Sequence, residues 1–374
     1  MAEIKPFVLA VPQAEIDALN AKIDMVRWPE KEPVDNWSQG TPLSALKPLI
    51  EYWRNGYDWR RCENRLNSIG QFTTEIDGID IHFLHIKSPH ENALPMIMTH
   101  GWPGSVMEFM GVIERLTQPE NSGQAFDLVI PSMPGYGFSG KPAETGWGVG
   151  KIAVTWGKLM ERLGYDRWVA QGGDWGAAVT TEIGKLAPAG CAGIHLNMPL
   201  GNPTEESLTN PSPKEAEALA KFQHYQDWDS GYSKQQSTRP QTIGYSLVDS
   251  PVGLAGWILE KMWAWTDNDG SPYDALDYDQ ILDNIMFYWL PANGASAARL
   301  YWESFGKPRD GDVKLPAGVS VFPAEILCSP RSWAEQILTN IHYWNETEKG
   351  GHFAAWEQPE IFAEELRQCF HYLR

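Results

Sequence analysis

The sequence predicts an α/β fold with a mostly parallel central sheet, an inserted helical cap and an N-terminal meander. Two observations lead there. Short apolar strand-like runs alternate with helical or loop stretches of crossover length. That rhythm breaks between residues 201 and 295 and then resumes.

Residues 1–72 are rich in Trp, Pro and short amphipathic runs, with "AEIDALNAKIDMV" a helix and "RWPEKEPVDNW" a loop. They are expected to pack as a meander on core and cap. Residues 73–200 form the first part of the core. They open with "TTEIDGIDIHFLHI", a β-hairpin turning at Asp77-Gly78, followed by strands in "LPMIMT", "FDLVIP", "RWVAQ" and "CAGIHLN". Residues 201–295 are helix-like and aromatic, the inserted cap. Residues 296–374 complete the core with strands in "GVSVF" and "NIHYW" and the closing helix "PEIFAEELRQCFHYL".

At 374 residues and 43% hydrophobic content, the chain can bury one large core without disulfides. Cys62, Cys191, Cys328 and Cys369 have no CxxC or metal-type spacing, so reduced thiols are expected and a zinc site is not. A net charge of −18 opposes nucleic acid and anionic lipid, and no Lys/Arg run offsets it. "MAEIKPFVLAVPQAEID" lacks a signal h-region, and no run approaches the roughly 20 apolar residues that span a bilayer. A soluble, cytoplasmic protein without membrane partners follows.

Chemistry enters at "QGGDWG", residues 171–176. Strand, sharp turn and helix follow one another there, the context of a nucleophile elbow, with Asp174 where an esterase holds serine. Gly172 and Gly176 flank it where side chains would collide with neighbouring elements, and the following helix N-terminus favours an ionised carboxylate. Taken alone, the pentapeptide also fits a glycine turn with a helix-capping aspartate.

"HGWPGS", residues 100–105, follows a strand and can aim the Trp102 N–H at the same point as the Trp175 N–H, making two oxyanion donors. His100 reads as a turn brace rather than a base. "KGGHFAAWEQPE", residues 349–360, lies between the last strand and last helix, where a triad histidine of this fold sits, which makes His352 the base. Glu325 in "VFPAEI" keeps the order nucleophile, acid, histidine, although Asp310 and Asp312 in "KPRDGDVK" are also available.

The chain resembles the microsomal-type epoxide hydrolases of the α/β-hydrolase superfamily, in a form without a membrane anchor. The likeness runs over nearly the whole length: "DWRRCENRLNSIGQFTTEIDGIDIHFLH", "HGWPGSVMEF", "GGDWG", "GYSKQQSTRPQTIGYSLVDSPVGLAGWILEKMWAW", "FPAEI" and "GGHFAAWEQPE". It implies Asp174 as nucleophile, His352 as base, Glu325 as charge-relay acid, and Tyr232 in "SGYSKQQ" and Tyr301 in "RLYWESFG" as proton donors to the epoxide oxygen. The substrates implied are a small apolar epoxide and water.

The chemistry explains the aspartate. A serine alkoxide opening an epoxide would leave an ether that water cannot remove, whereas a carboxylate leaves a cleavable ester. No metal or organic cofactor is needed. Two other readings share parts of the pattern. A haloalkane or haloacid dehalogenase uses the same aspartate logic, with Trp175 able to face a halide. A non-catalytic hydrolase-fold binding protein would be expected to have lost a triad member, and none is missing here.

His82 and His85 form an HxxH pair, but three residues apart on a strand they face opposite sides, which disfavours a shared metal. Trp257, Trp263 and Trp265 read mostly as cap packing. The sequence leaves open the particular epoxide, its stereochemical preference, and whether the chain is a monomer or a homodimer.

Overall fold

The computed structural model describes residues 3–121, 124–307 and 311–373. Among these, nine strands form one sheet: β1 (Lys5–Pro6), β2 (Gln71–Ile76), β3 (Ile79–Ile86), β4 (Leu94–Thr99), β5 (Phe126–Pro131), β6 (Trp168–Gly172), β7 (Cys191–Leu196), β8 (Ala317–Val321) and β9 (Ile341–Glu346). Their order is β1-β2-β3-β5-β4-β6-β7-β8-β9. The β1/β2, β2/β3 and β3/β5 pairs are antiparallel, and every pair from β5 to β9 is parallel. This is the α/β-hydrolase fold that the sequence predicts.

Local chemistry accounts for these elements. Asp77 and Gly78 both hold positive φ, as a two-residue hairpin turn requires, and they join β2 to β3. Strands β4 to β7 read as nearly continuous apolar runs because helices cover both of their faces, leaving successive residues buried.

The helices are α1 (Gln13–Asp24), α2 (Leu43–Asn55) and α3 (Trp59–Ile69) before the main sheet, and α4 (Ile113–Thr117), α5 (Val149–Arg162) and α6 (Asp174–Leu186) between its strands. Between β7 and β8 lie α7 (Glu205–Thr209), α8 (Pro213–His224), α9 (Gly231–Thr238), α10 (Pro240–Asp249), α11 (Pro251–Trp265), α12 (Tyr278–Trp289) and α13 (Gly294–Ser304). The chain closes with α14 (Arg331–Ala334), α15 (Ala354–Glu357) and α16 (Pro359–Cys369). Helices α8, α10, α11 and α16 each begin at a proline, whose missing N–H costs nothing in the first turn. No helix among the described residues is long and apolar enough to cross a membrane.

Helices α1 and α2 pack on α11, and α3 packs on β3. Trp37 stacks on Trp263 at 4.9 Å, and buried Asp283 of α12 accepts hydrogen bonds from Tyr57 and Arg61, both at 2.7 Å. Helix α13 packs on α9 and α10 and touches α5. Replacing Asp283 with alanine would leave the Tyr57 hydroxyl and the Arg61 guanidinium without their shared acceptor. The expected loss is about 2–3 kcal/mol of unfolding free energy. It should be read by denaturant titration, with proteolysis cutting first around residues 55–62.

Candidate active site

Strand β6 ends at Gly172 and α6 begins at Asp174, so Gly173 alone makes the turn. Asp174 has φ 50°, the left-handed region that residues with side chains rarely occupy. Neither Gly172 nor Gly176 has positive φ. They are required for space: a Cβ at Gly172 would overlap the Gly176 carbonyl, and one at Gly176 would overlap the Thr99 carbonyl at the end of β4. Gly101 is required in the same way, because its Cβ would fall on the Asp174 carboxylate.

Three loops converge on that carboxylate. The Trp102 N–H donates to Asp174 Oδ1 at 2.8 Å, and His352 Nε2 lies 3.3 Å from Asp174 Oδ2. His352 Nδ1 lies 2.5 Å from Glu325 Oε1, which also accepts the Ile326 N–H at 2.8 Å. Glu325 and His352 are 2% and 5% exposed, so this charge chain is shielded from water. Burial opposes charging the imidazole, but the Glu325 and Asp174 carboxylates outweigh it and hold His352 well above its ordinary pKa. Of the other acids considered, Asp312 is exposed on its loop and Asp310 lies outside the described residues.

The residue-100 loop is braced on both sides. His100 is buried, with Nδ1 2.9 Å from the Gly101 carbonyl and Nε2 accepting the Met133 N–H at 3.2 Å. Burial lowers its pKa to about 4, so it is a neutral brace. From the other side, α12 pins the loop: Asn284 Nδ2 donates to the Pro103 carbonyl at 2.8 Å, Ser105 Oγ donates to Asn284 Oδ1 at 2.7 Å, and the Tyr288 hydroxyl donates to the Gly104 carbonyl at 2.7 Å.

Tyr232 on α9 and Tyr301 on α13 are brought together here, their rings 5.7 Å apart edge to face. Trp102 stacks on Tyr232 at 4.9 Å and meets the Tyr301 ring at 5.8 Å, while Trp175 meets Tyr301 at 4.8 Å. Burial first, then Tyr301 for one and Asp174 for the other, raises both phenols well above 10, so both are protonated at neutral pH. His82 bonds Ser132 and Gln71 at 3.0 Å each, and His85 bonds Tyr165 at 2.8 Å, so the two histidines serve separate packing sites.

A family profile described as "Epoxide hydrolase N terminus" matches residues 4–109, and one described as "alpha/beta hydrolase fold" matches residues 95–242. The chain is 54% identical to a Stigmatella aurantiaca protein proposed to be an epoxide hydrolase, over 99% of this chain and 86% of that one. It is 35% identical to epoxide hydrolase 1 of Sus scrofa, over 98% and 88%. The chain belongs to the epoxide hydrolase family. Among solved structures, the juvenile hormone epoxide hydrolase of Bombyx mori superposes with TM-score 0.93 at 31% identity, covering 100% of this chain and 95% of that one. The Aspergillus niger epoxide hydrolase gives 0.89 at 32%, covering 100% and 97%. Similarity over the full chain favours neither a dehalogenase nor a non-catalytic binding protein.

Trp265, read from the sequence mostly as packing, meets the His352 ring at 5.0 Å, and its carbonyl accepts the His352 N–H at 2.9 Å. Other residues around this epoxide hydrolase site gave no sequence signal. Tyr225 begins a single π-helical turn and places its hydroxyl 3.3 Å from that of Tyr232. Glu108 lines the same cavity as Asp174 and His352. Asn284 and Tyr288 could have been suspected only as polar residues among the buried ones of α12, where Asp283 is another. Because the Gly172 contact is with rigid backbone, Gly172→Ala is expected to cost more than about 3 kcal/mol of stability and to abolish turnover. Thermal unfolding and diol formation from styrene oxide would check both.

Proposed function

We propose that this epoxide hydrolase forms its vicinal diol through a covalent alkyl-enzyme ester on Asp174. The observation that carries this reading is the unbroken chain from the Trp102 N–H through the Asp174 carboxylate and His352 to Glu325. In the first step Asp174 attacks an sp³ carbon of the epoxide while Tyr232 and Tyr301 hydrogen-bond the ring oxygen and supply its proton. Burial raises both phenols above their ordinary value of about 10, which keeps them protonated at neutral pH, and the alkoxide formed on ring opening is a strong enough base to take a proton from them. The tyrosinate left behind regains its proton from the His352 imidazolium.

That transfer sets up the second step. Esterification removes the Asp174 charge, one of the influences that hold His352 protonated, so the imidazole is released as a base. It takes a proton from water as the water oxygen bonds to the Asp174 carbonyl carbon. The oxyanion is held by the Trp102 and Trp175 amides, and Glu325 stabilises the imidazolium. Collapse expels the diol alkoxide, which takes the proton back from His352, and the Asp174 carboxylic acid left behind passes its own proton to His352, restoring the carboxylate and imidazolium of the free enzyme. Every proton is handled by side chains or water, without metal or organic cofactor. The aromatic walls formed by Trp102, Trp175, Tyr232, Tyr301 and Trp265 suit a small, neutral, apolar epoxide.

A single turnover in ¹⁸O-water with enzyme in excess is expected to give unlabelled diol and to leave the label in the peptide carrying Asp174. Label in the first-turnover diol would instead mean direct attack by water. For the tyrosines, Tyr232→Phe or Tyr301→Phe is expected to slow ester formation by about 10²-fold, the range of a general acid, and the double change to nearly abolish it. Stopped-flow tryptophan fluorescence would measure this. A double variant that opens epoxides at the parent rate, or a parent that cleaves alkyl halides faster than epoxides, would remove that role.

A further inference from the structure

Beside the Asp174 carboxylate lies a cavity of about 10 Å³, lined by Gly101, Trp102, Glu108, Gln171, Asp174 and His352 among others. A single water needs roughly 10–15 Å³ and two to four polar partners. This cavity has that room and offers Asp174, His352 and Glu108 as partners. Glu108 lies on the short 3₁₀ turn Val106–Phe109, capped by Ser105, whose side chain accepts the Met107 N–H. Its carboxyl group fills the space against Gly104 so closely that a Cβ there would overlap it. Thus Gly101 makes room for the Asp174 carboxylate and Gly104 makes room for the Glu108 carboxyl, which fixes two acids around one water-sized space.

Resting on the covalent reading above, we propose that Glu108 is a further catalytic residue: it holds the hydrolytic water in this cavity by accepting one of its hydrogens while His352 takes the other. The ionisable groups facing Glu108 are Asp174 from the elbow, His352 from the last loop and Tyr288 from α12. Burial pushes the Glu108 carboxyl up to about 8, and the Asp174 charge adds to that, against the pull of His352 and of a hydrogen bond from the Gly101 backbone. In the free enzyme the group is therefore largely protonated at neutral pH. At the ester stage both the Asp174 charge and the His352 charge are gone, and the carboxylate fraction of Glu108, which grows as the pH rises, is the form that acts. As a carboxylate it accepts the water hydrogen and faces the imidazolium that forms on His352. The water oxygen bonds to the Asp174 carbonyl carbon, the ester C–O bond breaks, and the departing alkoxide takes its proton from His352. Glu108 itself gives up nothing in the step.

The test is a single turnover of styrene oxide by excess parent enzyme, Glu108→Gln, Glu108→Asp and His352→Gln, following epoxide loss, the ester by intact-protein mass, and diol release. Glu108→Gln is expected to form the ester within about 3-fold of the parent rate and to hydrolyse it about 10- to 10²-fold more slowly, so that ester accumulates. The parent's hydrolysis rate is expected to rise with pH as Glu108 ionises; that rise should flatten in Glu108→Gln, and Glu108→Asp should recover part of rate and profile. Parent-like hydrolysis by Glu108→Gln, or equal slowing of both half-reactions with a lowered melting temperature, would overturn the proposal. If Glu108→Gln does not fold, Glu108→Asp decides by the same split between ester formation and hydrolysis. Ester found with His352→Gln but hydrolysed normally by the Glu108 variants sinks Glu108 alone. Ester found in no variant and not in the parent sinks the covalent reading and Glu108 together.

Discussion

Asp174 can point its carboxylate out of the sheet only because its backbone is left-handed and its neighbours have no side chains. Much of the architecture answers to that one residue. Gly172 and Gly176 let α6 press onto β6 and β4, closing the turn that imposes the positive φ. Because β4 and β6 are adjacent, the loop leaving β4 reaches Asp174 directly, and Gly101 and the Trp102 amide meet its carboxylate there. The parallel order places the exits of β8 and β9 at the same end of the sheet, from which Glu325 and His352 arrive. Convergence of loops beyond the carboxyl ends of parallel strands is general to open α/β sheets. What is particular here is how little room the glycines leave for any other arrangement.

Electrostatics add a second constraint. A buried imidazole between two carboxylates is charged despite desolvation, and Glu325 Oε2 has no hydrogen-bond partner in the structure. The balance therefore depends on both acids, and in the proposed cycle the enzyme neutralises one of them at each turnover. A single charge on Asp174 then serves as nucleophile in one half-reaction and governs the basicity of His352 in the next. The loop bearing the base is fixed independently of that charge. Half-buried Glu357, pushed up to about 7 by desolvation, accepts the backbone N–H groups of Asp267, Gly351 and Phe353 and so bolts the histidine loop to the end of α11.

The sheet and the residues that converge on Asp174 were legible because each depends on a local rule. Glycines mark close approach, alternating apolarity marks the hairpin, and apolar runs mark strands covered on both faces. The strands expected at "LPMIMT" and "FDLVIP" appear with those boundaries. The helix read from "AAVTTEIGKLA" begins three residues earlier, at Asp174 itself, because Asp174 opens the first turn. The supporting residues were not legible. Asn284, Tyr288, Tyr225 and Glu108 have no distinctive spacing, and each acquires its role from a backbone group or cavity supplied by a segment distant in the chain. The tyrosines Tyr232 and Tyr301 stood out only through family resemblance, since nothing in a cap helix distinguishes a tyrosine packed by its ring from one presented to a substrate.

The same supports constrain how substrate reaches the site. The segment between β7 and β8 holds the loop after β4 through Asn284 and Tyr288, the loop after β5 through Asn293 and Ser296, and the histidine loop through the Trp265 carbonyl. Those bonds are buried, at about 1 kcal/mol each net, and more where a buried partner is left unsatisfied. Lifting that whole segment would break them together and would also peel Tyr232 from Trp102, whose amide holds Asp174. An opening of that kind costs much of the stability of a domain and pulls away the residue-102 loop as it exposes Asp174. Rearrangement of a few side chains breaks none of these bonds, so the segment between β7 and β8 is held as a wall beside Asp174.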